Sequence, residues 1–223
     1  MTAFDNDTRT KHNPLFITFE GCDGTGKTTQ AGLLAADMDA LLTSDPKGTD
    51  YGRRITDMAI AQADGWPQTF AFLSARAKLT EDVIMPALRS GRDVVCDRFM
   101  DSTFVYQGML GGVGNDRLHD MTMMASHGIR PDITILLRFN DLECLHGRIA
   151  RRAAMTGTEP DRFDGMDVAG MKAVQDGFLS LAEAEPERFI VIGCDGRSVD
   201  DIHRDIAERV SEKARKVGSN AVR

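Results

Sequence analysis

The chain has 223 residues, of which 42% are hydrophobic and 27% are charged, a composition typical of a globular protein with a full core. Its formal net charge of −7 argues against sequence-independent binding to nucleic acid, which needs a basic face. No apolar run reaches the roughly 18 residues that cross a bilayer, so we expect no membrane partner.

The first 13 residues, MTAFDNDTRTKHN, are polar and lack the apolar core of a signal peptide. We therefore expect a flexible extension over residues 1–13 and a single domain over residues 14–223, located in the cytoplasm. The cysteines agree with that compartment because they lie far apart and form no CxxC pair or His-Cys cluster. We expect reduced, buried thiols at Cys22, Cys96, Cys144 and Cys194.

Short apolar runs alternate with longer stretches of helical spacing along the chain. The runs that predict buried strands are 15–19, 40–44, 93–97, 132–139 and 188–193. The stretches that predict helices are 28–38, 69–90, 116–126, 141–154 and 168–185. Strands separated by helices imply right-handed crossovers and a parallel sheet covered on both faces. The fold class is therefore a doubly wound α/β domain, with its site at the carboxyl ends of the strands.

A glycine-rich loop follows the first predicted strand and opens the first predicted helix. Its sequence, GCDGTGKT (21–28), fits the phosphate-loop pattern G-x-x-x-x-G-K-[ST]. The glycines allow backbone N–H groups to turn inward, and the start of the helix adds a positive partial charge. We expect Lys27 to reach the β- and γ-phosphates of ATP, and Thr28 to bind Mg²⁺. The alternative is a glycine turn that matches by chance.

The whole loop is assigned to the phosphate donor. The assigned residues are Gly21, Cys22, Asp23, Gly24, Thr25, Gly26, Lys27, Thr28 and Thr29. A phosphate loop alone is common to kinases, GTPases and motor ATPases. The chain has no NKxD-like segment to read guanine and is short for a motor module. A small-molecule kinase needs a second pocket for an acceptor, so the rest of the chain decides between these classes.

The segment VVCDRFMDSTFVYQG (94–108) carries candidates for that second pocket. Asp97 ends a predicted strand, where phosphate-loop proteins place the carboxylate that supports Mg²⁺. Arg98 has the fork geometry that binds phosphate, although Asp97 and Arg98 alternatively form a surface ion pair. Tyr106 and Gln107 offer an aromatic face and an amide for a base edge, or alternatively serve packing and solvation.

Taken together, these segments resemble the thymidylate kinase family of nucleoside monophosphate kinases. Members read FEG-x-DG-x-GKTTQ at the phosphate loop, DRY-x-x-S-x-x-AYQG after the third strand and LDRFE in the lid. This chain has FEGCDGTGKTTQ, DRFMDSTFVYQG and PDRFDG in those places, and VQDGFLSLAEAEPERFIVI late in the sequence. The resemblance runs from about residue 15 to about residue 206. It implies a three-layer P-loop fold with a five-stranded parallel sheet and an arginine-rich lid.

The resemblance also implies roles for residues of the acceptor pocket. Phe72 would stack on the thymine ring, and Arg76 and Arg98 would bind the 5′-phosphate. Tyr106 would lie under the deoxyribose and disfavour a 2′-hydroxyl. The remaining substrate-side residues are Asp23 and Asp45 near sugar, phosphate and metal, Pro46 beside them, and Thr103 and Gln107 at the base. Without the resemblance, Phe72 would equally well be a core residue. Arg76 alone would usually be a solvated side chain.

A second arginine cluster indicates the lid. Arg148, Arg151, Arg152 and Arg162 lie on and after a predicted helix, and the lid covers about residues 148–165. The alternative is a basic solvated face. By resemblance, Arg148 would lie against the donor adenine. Because Gly24 stands where some thymidylate kinases carry a catalytic arginine, the chain is similar to the group with that arginine in the lid. We expect Arg152 to fill this role, with Arg151 as the second choice.

The segment TSDPKGTDYG (43–52) departs from the family pattern T-R-E-P-G-G-T-x-x-G. Ser44 replaces an arginine, Asp45 a glutamate and Lys47 a glycine, while Ala75 replaces an aspartate. These changes lie around the acceptor pocket. They leave open whether Lys47 takes over a charge role or whether the pocket accepts a modified pyrimidine such as 5-hydroxymethyl-dUMP.

The expected function is phosphorylation of dTMP to dTDP by ATP and Mg²⁺, through direct in-line transfer without a covalent intermediate. Lys27, Asp23, Arg98 and the lid arginines would carry the catalysis. The alternatives are a kinase for a 5-modified dUMP or a deoxynucleoside, and a nucleotide-binding switch without an acceptor. The resemblance also implies a homodimer.

Overall fold

The computed structural model describes residues 13–62, 65–156 and 165–220, so the predicted extension over residues 1–13 lies almost wholly outside the described residues. The described part of the chain forms a five-stranded parallel sheet with strand order β2-β3-β1-β4-β5. The strands are Phe16–Glu20 (β1), Leu41–Ser44 (β2), Val94–Asp97 (β3), Ile133–Arg138 (β4) and Phe189–Gly193 (β5). Each lies within one or two residues of a predicted run, and the predicted α/β class is confirmed.

Helices connect the strands and include two segments of the wider π-helical form. The α-helices are Lys27–Asp37 (α1), Asp50–Gln62 (α2), Gly65–Leu79 (α3), Met85–Arg89 (α4), Met100–Thr103 (α5), Asn115–Ala125 (α6), Leu142–Thr156 (α7), Val168–Ala184 (α8) and Val199–Asn220 (α9). The π-helical segments are Thr80–Ile84 and Phe104–Leu110. The sequence analysis predicted α1, α6, α7 and α8 closely and missed α2, α5 and α9.

The prediction of one uninterrupted helix over residues 69–90 is wrong in detail. The helix begins earlier, at Gly65, and passes through the π-helical segment Thr80–Ile84 before α4. Pro86 lies in the first turn of α4. Proline has no N–H and its ring collides with the carbonyl one turn back, so a straight α-helix cannot continue through it. The wider turn before Pro86 takes up this mismatch.

Alternate residues of the central strands belong to two different cores. On β1, Phe16 packs with the cluster that contains Leu79, Ile84 and Phe99, while Ile17 packs with the cluster that contains Phe178. The ring of Phe16 meets the ring of Phe99 edge-on, with centroids 4.9 Å apart. This alternation follows from the two-residue period of a strand, and it explains why the strands read as continuous apolar runs.

The register of the sheet brings the ends of β1, β2 and β3 together. Ser44 pairs with Asp97 across β2 and β3, and the next residue, Asp45, donates its N–H to the Asp97 carbonyl at 3.0 Å. Phe19, one residue before the end of β1, also pairs with Asp97. The phosphate loop therefore leaves the centre of the sheet directly beside the segments that follow β2 and β3.

The cysteines only partly match expectation. Cys22, Cys96 and Cys194 are buried free thiols, whereas Cys144 on α7 is exposed. None of the helices in the described ranges is long and apolar enough to cross a membrane.

Candidate active site

A cavity of about 560 Å³ opens at the carboxyl edge of the sheet, where α/β folds bind ligands. It runs from the phosphate loop, across the ends of β2 and β3, to α3 and the π-helical segment after α5. Its lining residues that the sequence predicted are Asp23, Gly24, Gly26, Lys27, Thr28, Thr29, Asp45, Pro46, Phe72, Arg76, Asp97, Arg98, Thr103, Tyr106, Gln107 and Arg148. The donor and acceptor candidates therefore share one cleft.

The glycines of the phosphate loop adopt backbone conformations that other residues rarely do. Gly21 has φ 134°, and a Cβ there would lie 2.3 Å from the carbonyl oxygen of Leu137. At Gly24, with φ 77°, a Cβ would lie 2.6 Å from Cγ1 of Ile149 on α7. A side chain at position 24 would thus collide with α7, so this loop has no room for an arginine there.

Three predicted loop residues support the loop from beneath instead of lining the cleft. Gly21 is packed against β4 as described above. The Cys22 thiol donates to the Met171 carbonyl at 3.4 Å, and the Thr25 hydroxyl donates to the Cys22 carbonyl at 2.9 Å. Burial raises the pKa of the Cys22 thiol to about 11. These contacts give the loop its shape.

Lys27 is buried at the base of the loop. Its Nζ donates to the Cys22 carbonyl at 2.8 Å and lies 3.6 Å from Oδ1 of Asp23. Burial lowers the pKa of Lys27, and the nearby Arg98 charge lowers it further, while Asp23, Asp97 and Glu20 oppose the change. The ammonium group is therefore held close to the loop backbone, surrounded by carboxylates.

Thr28 and Asp97 meet at the edge of the cleft. The Thr28 hydroxyl donates to Oδ2 of Asp97 at 2.5 Å. The other carboxylate oxygen, Oδ1, is buried and has no hydrogen-bond partner among the residues that the structure describes. An acceptor oxygen left without a partner beside a phosphate loop suits a cation.

An ion pair joins the loop to the acceptor side. Nη2 of Arg98 lies 2.5 Å from Oδ1 of Asp23. Burial favours the neutral form of Asp23, but Arg98 and Lys27 outweigh it and hold the pKa of that carboxyl well below its usual range. Arg98 also donates to the Ser102 hydroxyl at 3.1 Å and lies 5.3 Å from the centre of the Tyr106 ring. Arg98 thus pairs with Asp23. The alternative, a surface ion pair between Arg98 and its neighbour Asp97, is therefore wrong.

Arg76 is the second arginine on the acceptor side, and it is only 3% exposed. Its Nε and Nη2 lie 2.7 Å and 2.6 Å from the same oxygen, Oδ2 of Asp45. Nη2 also lies 2.8 Å from the Thr103 hydroxyl. Nη1 of Arg76 and Oδ1 of Asp45 are buried without a partner in the described structure. Asp45 therefore neutralises Arg76.

Aromatic and amide groups line the far wall. Phe72 on α3 is half-buried. Tyr106 packs its ring edge-on against Phe178, with centroids 6.2 Å apart. Gln107 donates from Nε2 to Oε1 of Gln68 at 3.3 Å. The π-helical segment places Tyr106 and Gln107 on the cleft side together, although they are consecutive in sequence.

The predicted lid is described only at its base. Arg148 lines the cleft, and its guanidinium lies 5.4 Å from the centre of the Phe139 ring. Arg151 is exposed and is not among the lining residues. The side chain of Arg152 and residues 157–164 lie outside the described part of the structure.

Sequence reasoning missed part of the wall. It placed Ser44 and Lys47 around the acceptor pocket, but it did not single out the lining residues Thr56, Ile60, Phe99, Ser102 and Ile149. Thr56 and Ile60 belong to the missed helix α2. The available signal was the helical spacing of Gly52, Ile55, Thr56 and Ala59, which lie on the covered side of that helix.

A phosphate loop that shares one cleft with a second group of arginines defines the class of P-loop kinases that act on small molecules. Comparison with known proteins narrows the class. Residues 19–206 match the family model described as thymidylate kinase. The thymidylate kinase of Deinococcus radiodurans is 37% identical over 207 residues, which cover 89% of this chain and 97% of the relative.

Two further relatives agree. The thymidylate kinase of Desulfosudis oleivorans is 38% identical over 213 residues, covering 89% of this chain and 98% of the relative. The crystal structure of thymidylate kinase from Ehrlichia chaffeensis superposes with a TM-score of 0.72 at 27% identity, covering 89% of this chain and 99% of the other. The chain belongs to the thymidylate kinase family and is a nucleoside monophosphate kinase.

Glu20 lies beneath the site and carries an ionisable carboxyl group. It was not among the residues predicted from the sequence. Its carboxylate accepts from Phe99 N at 2.8 Å and from the Ser102 hydroxyl at 2.6 Å. Burial raises the pKa of Glu20 to about 7, from 4.5, and the Asp101 carboxylate adds to the rise, which Arg98 opposes. Because the pKa is higher in the folded protein, the stability that this group contributes below pH 4.5 is lost as the pH rises through 7.

Glu20→Gln removes this titration and keeps an oxygen that accepts from Phe99 N. We expect the unfolding temperature of Glu20→Gln, relative to the unsubstituted protein, to rise by about 5 °C between pH 5 and pH 8. Thermal unfolding followed by circular dichroism at several pH values measures it. The exposed Glu208→Gln on α9 is the control and should show no such trend. If the difference in unfolding temperature between Glu20→Gln and the unsubstituted protein stayed constant from pH 5 to pH 8, the raised pKa would be contradicted.

Proposed function

We propose that the chain transfers the γ-phosphate of ATP to dTMP, giving ADP and dTDP, by direct in-line transfer with Mg²⁺. The observation that supports this most strongly is the shared cleft, in which Asp23 of the phosphate loop contacts Arg98 of the acceptor side at 2.5 Å. Membership in the thymidylate kinase family favours dTMP as the acceptor and ATP as the donor.

On the donor side, the phosphate loop offers its glycine-shaped backbone, the start of α1 and the Lys27 ammonium group. Lys27 would exchange its contact with the Cys22 carbonyl for donor phosphate oxygens. Arg148 lines the cleft, and its guanidinium, which packs against the buried ring of Phe139, would lie against the adenine.

The described residues fit a magnesium ion at Thr28 and Asp97. The fit is supported by the buried, unpartnered Oδ1 of Asp97 next to the Thr28 hydroxyl. No three His, Cys, Asp or Glu side chains are grouped to hold a metal within the described ranges. Mg²⁺ commonly binds through one or two protein oxygens and keeps waters and phosphate oxygens as its other ligands. When bound, it would neutralise charge on the donor phosphates.

On the acceptor side, we propose that Arg98 and Arg76 bind the 5′-phosphate and orient it toward the loop. Phe72 would stack on the base, with Thr103 and Gln107 at the base edge and Asp45 and Pro46 beside the sugar. Tyr106, whose ring is held by Phe178, would fill the space of a 2′-hydroxyl. These groups supply position and positive charge, which is what phosphoryl transfer requires of the protein.

Direct transfer is supported by the state of Cys22, the nucleophilic side chain of the phosphate loop. Its thiol faces α8, donates to Met171 and has its pKa raised to about 11 by burial. A thiol in that state is a poor nucleophile. This argues against the loop thiol as a carrier of the phosphoryl group. In the proposed reaction, the acceptor phosphate oxygen would attack the donor γ-phosphate directly.

A second candidate acceptor is a 5-modified dUMP, such as 5-hydroxymethyl-dUMP. Ser44 and Thr56 are small polar residues that line the acceptor half, and the Thr56 hydroxyl is buried without a partner in the described structure. Lys47 also lines the cleft, and it pairs with the exposed Asp57 at 3.2 Å. Ser44 and Thr56 therefore offer hydrogen-bonding groups that the added hydroxyl of such an acceptor would contact.

A panel of acceptors separates these possibilities. We expect ADP formation, measured by a coupled assay with ATP and Mg²⁺, to depend on the acceptor and to be fastest with dTMP. The comparison acceptors are dUMP, 5-hydroxymethyl-dUMP, UMP and thymidine. Faster turnover of 5-hydroxymethyl-dUMP than of dTMP would favour the second candidate. Binding of ATP with no acceptor-dependent ADP from any of them would favour a nucleotide switch.

We propose that a lid arginine stabilises the transferring phosphoryl group, because Gly24 has no room for a side chain. Arg152→Ala should lower kcat about 1000-fold, a loss typical of an arginine that contacts transition-state charge. Arg151→Ala should lower kcat much less, and Arg204→Ala, an exposed arginine on α9, serves as control. Near-normal turnover of Arg152→Ala together with collapse of Arg151→Ala would reverse the assignment.

We also propose a homodimer that acts in the cytoplasm, where thiols stay reduced. The dimer is supported by large apolar side chains exposed on neighbouring helices: Met58 on α2, Phe70 on α3 and Met124 on α6. Sedimentation velocity should give twice the chain mass of 24.5 kDa, and Phe70→Glu should shift the protein toward monomer. Val199→Glu, an exposed apolar position on α9, should leave the mass unchanged. A monomeric unsubstituted protein would contradict the dimer.

A further inference from the structure

The segment from Phe99 to Thr103 supplies partners to both acceptor-side arginines. The Ser102 hydroxyl accepts from Arg98, while the Thr103 hydroxyl and the Phe99 carbonyl accept from Arg76 at 2.8 Å and 3.1 Å. The position of both guanidinium groups therefore depends on where this short segment lies.

The residue before this segment is held in an uncommon conformation. Arg98 has φ 67°, in the left-handed region that non-glycine residues seldom occupy. Such a conformation costs about 1 kcal/mol and persists only where the surroundings enforce it. The Arg98 N–H donates to the Phe19 carbonyl at 2.9 Å, which fixes one side of the residue. On the other side, the Cys96 thiol donates to the Arg98 carbonyl at 3.0 Å and Phe99 N donates to Glu20 at 2.8 Å, and the chain then enters α5.

A buried ion pair holds α5 against the sheet. Arg188, the residue before β5, places Nη1 2.6 Å from Oδ2 of Asp101 and Nη2 2.8 Å from Oδ1. This is the two-point contact of a guanidinium fork on a carboxylate. Asp101 is fully buried and Arg188 is only 9% exposed. Neither residue is among those that line the cleft.

The ion pair is tied to the central strands as well. Thr134 on β4 accepts from Arg188 Nη1 at 2.6 Å, and its hydroxyl lies 3.0 Å from the Thr18 hydroxyl on β1. Burial opposes the charge of Arg188, but Asp101 and Glu185 more than compensate and raise the pKa of the guanidinium above its usual range. The fork is therefore permanently charged and connects β5, β4 and β1 to α5.

We propose that the Arg188–Asp101 ion pair positions Arg98 and Arg76 for the acceptor, and that Arg188 is a positioning residue of the kinase although it lies outside the cleft. The proposal rests on the proposed function, because it concerns the acceptor half of that site. Without the fork, Asp101 would be a buried charge with no counterion, α5 would shift, and Arg98 would relax from its left-handed conformation. The phosphate loop, which is shaped by its glycines and α1, would keep its geometry.

The test measures how substitutions of Arg188 and Asp101 change the Michaelis constants for dTMP and for ATP. Arg188→Lys keeps the charge but loses the fork, and Asp101→Asn keeps the shape but loses the charge. Each should raise KM for dTMP about tenfold or more, the effect of a lost charge-assisted hydrogen bond, while KM for ATP changes less than about twofold. Calorimetric titration of dTMP, without turnover, should show the same weakening. Because both residues act as one unit, the double variant should resemble either single variant.

Controls separate positioning from general destabilisation. Arg130→Lys alters the exposed pair with Glu185 at the outer end of the same network, at 2.7 Å, and should leave both constants unchanged. Unfolding temperatures must lie above the assay temperature for each variant compared. If Asp101→Asn fails to fold, Thr134→Val removes one hydroxyl from the network without changing charge, and should raise KM for dTMP about threefold.

Equal rises in both Michaelis constants, or a fall in kcat alone, would show a merely structural role and overturn the proposal. Unchanged KM for dTMP in Arg188→Lys beside an active unsubstituted protein would overturn it too, and would leave the proposed function intact. An unsubstituted protein that turns over no acceptor contradicts the proposed function, and this inference with it.

Discussion

The ion pair between Asp23 and Arg98 connects the two halves of the cleft on which the rest of the site depends. Asp23 belongs to the phosphate loop and Arg98 to the segment after β3, and the contact between them is 2.5 Å long. Because both groups are largely buried, each offsets the cost of burying the charge of the other. The contact joins a residue of the phosphate loop to the segment that follows β3. It places the guanidinium of Arg98 where the two halves of the cleft meet.

The two halves achieve their geometry by different physical means. The phosphate loop is shaped by its backbone: positive φ angles at Gly21, Gly24 and Gly26, and packing against β4 and α7 that leaves no space for side chains. The acceptor side is shaped by side chains, through Asp45 on Arg76 and the buried carboxylates Glu20 and Asp101 behind the segment that follows β3. Backbone geometry tolerates little sequence change, whereas paired side chains can be exchanged in concert. This difference is consistent with the intact phosphate-loop pattern and the altered segment at Ser44, Asp45 and Lys47.

Much of the fold was predictable because its central strands, β1, β3 and β4, are buried on both faces. The five apolar runs stand out, and the loop GCDGTGKT identifies the joint between strand and helix from local sequence alone. Prediction failed where the helical repeat changes along the chain. The π-helical segment before Pro86 and the one that carries Tyr106 change the helical register, which a fixed 3.6-residue period cannot anticipate. Helix α9 was missed because most of its surface is charged, although Ile202, Ile206 and Val210 repeat every four residues and are buried.

The phosphate loop, the α/β class, the resemblance to thymidylate kinases and most residues of the cleft are predictable from the amino-acid sequence. These features depend on local spacing, which is readable along the chain. The partners of the polar and charged side chains are visible only in the folded chain. Asp97 and Arg98 are adjacent in sequence yet pair with Thr28 and Asp23, and Asp101 pairs with Arg188, 87 residues away. Such pairings follow from the order of strands in the sheet and from burial, which makes an unpaired charge costly, and neither is written in the spacing of neighbouring residues.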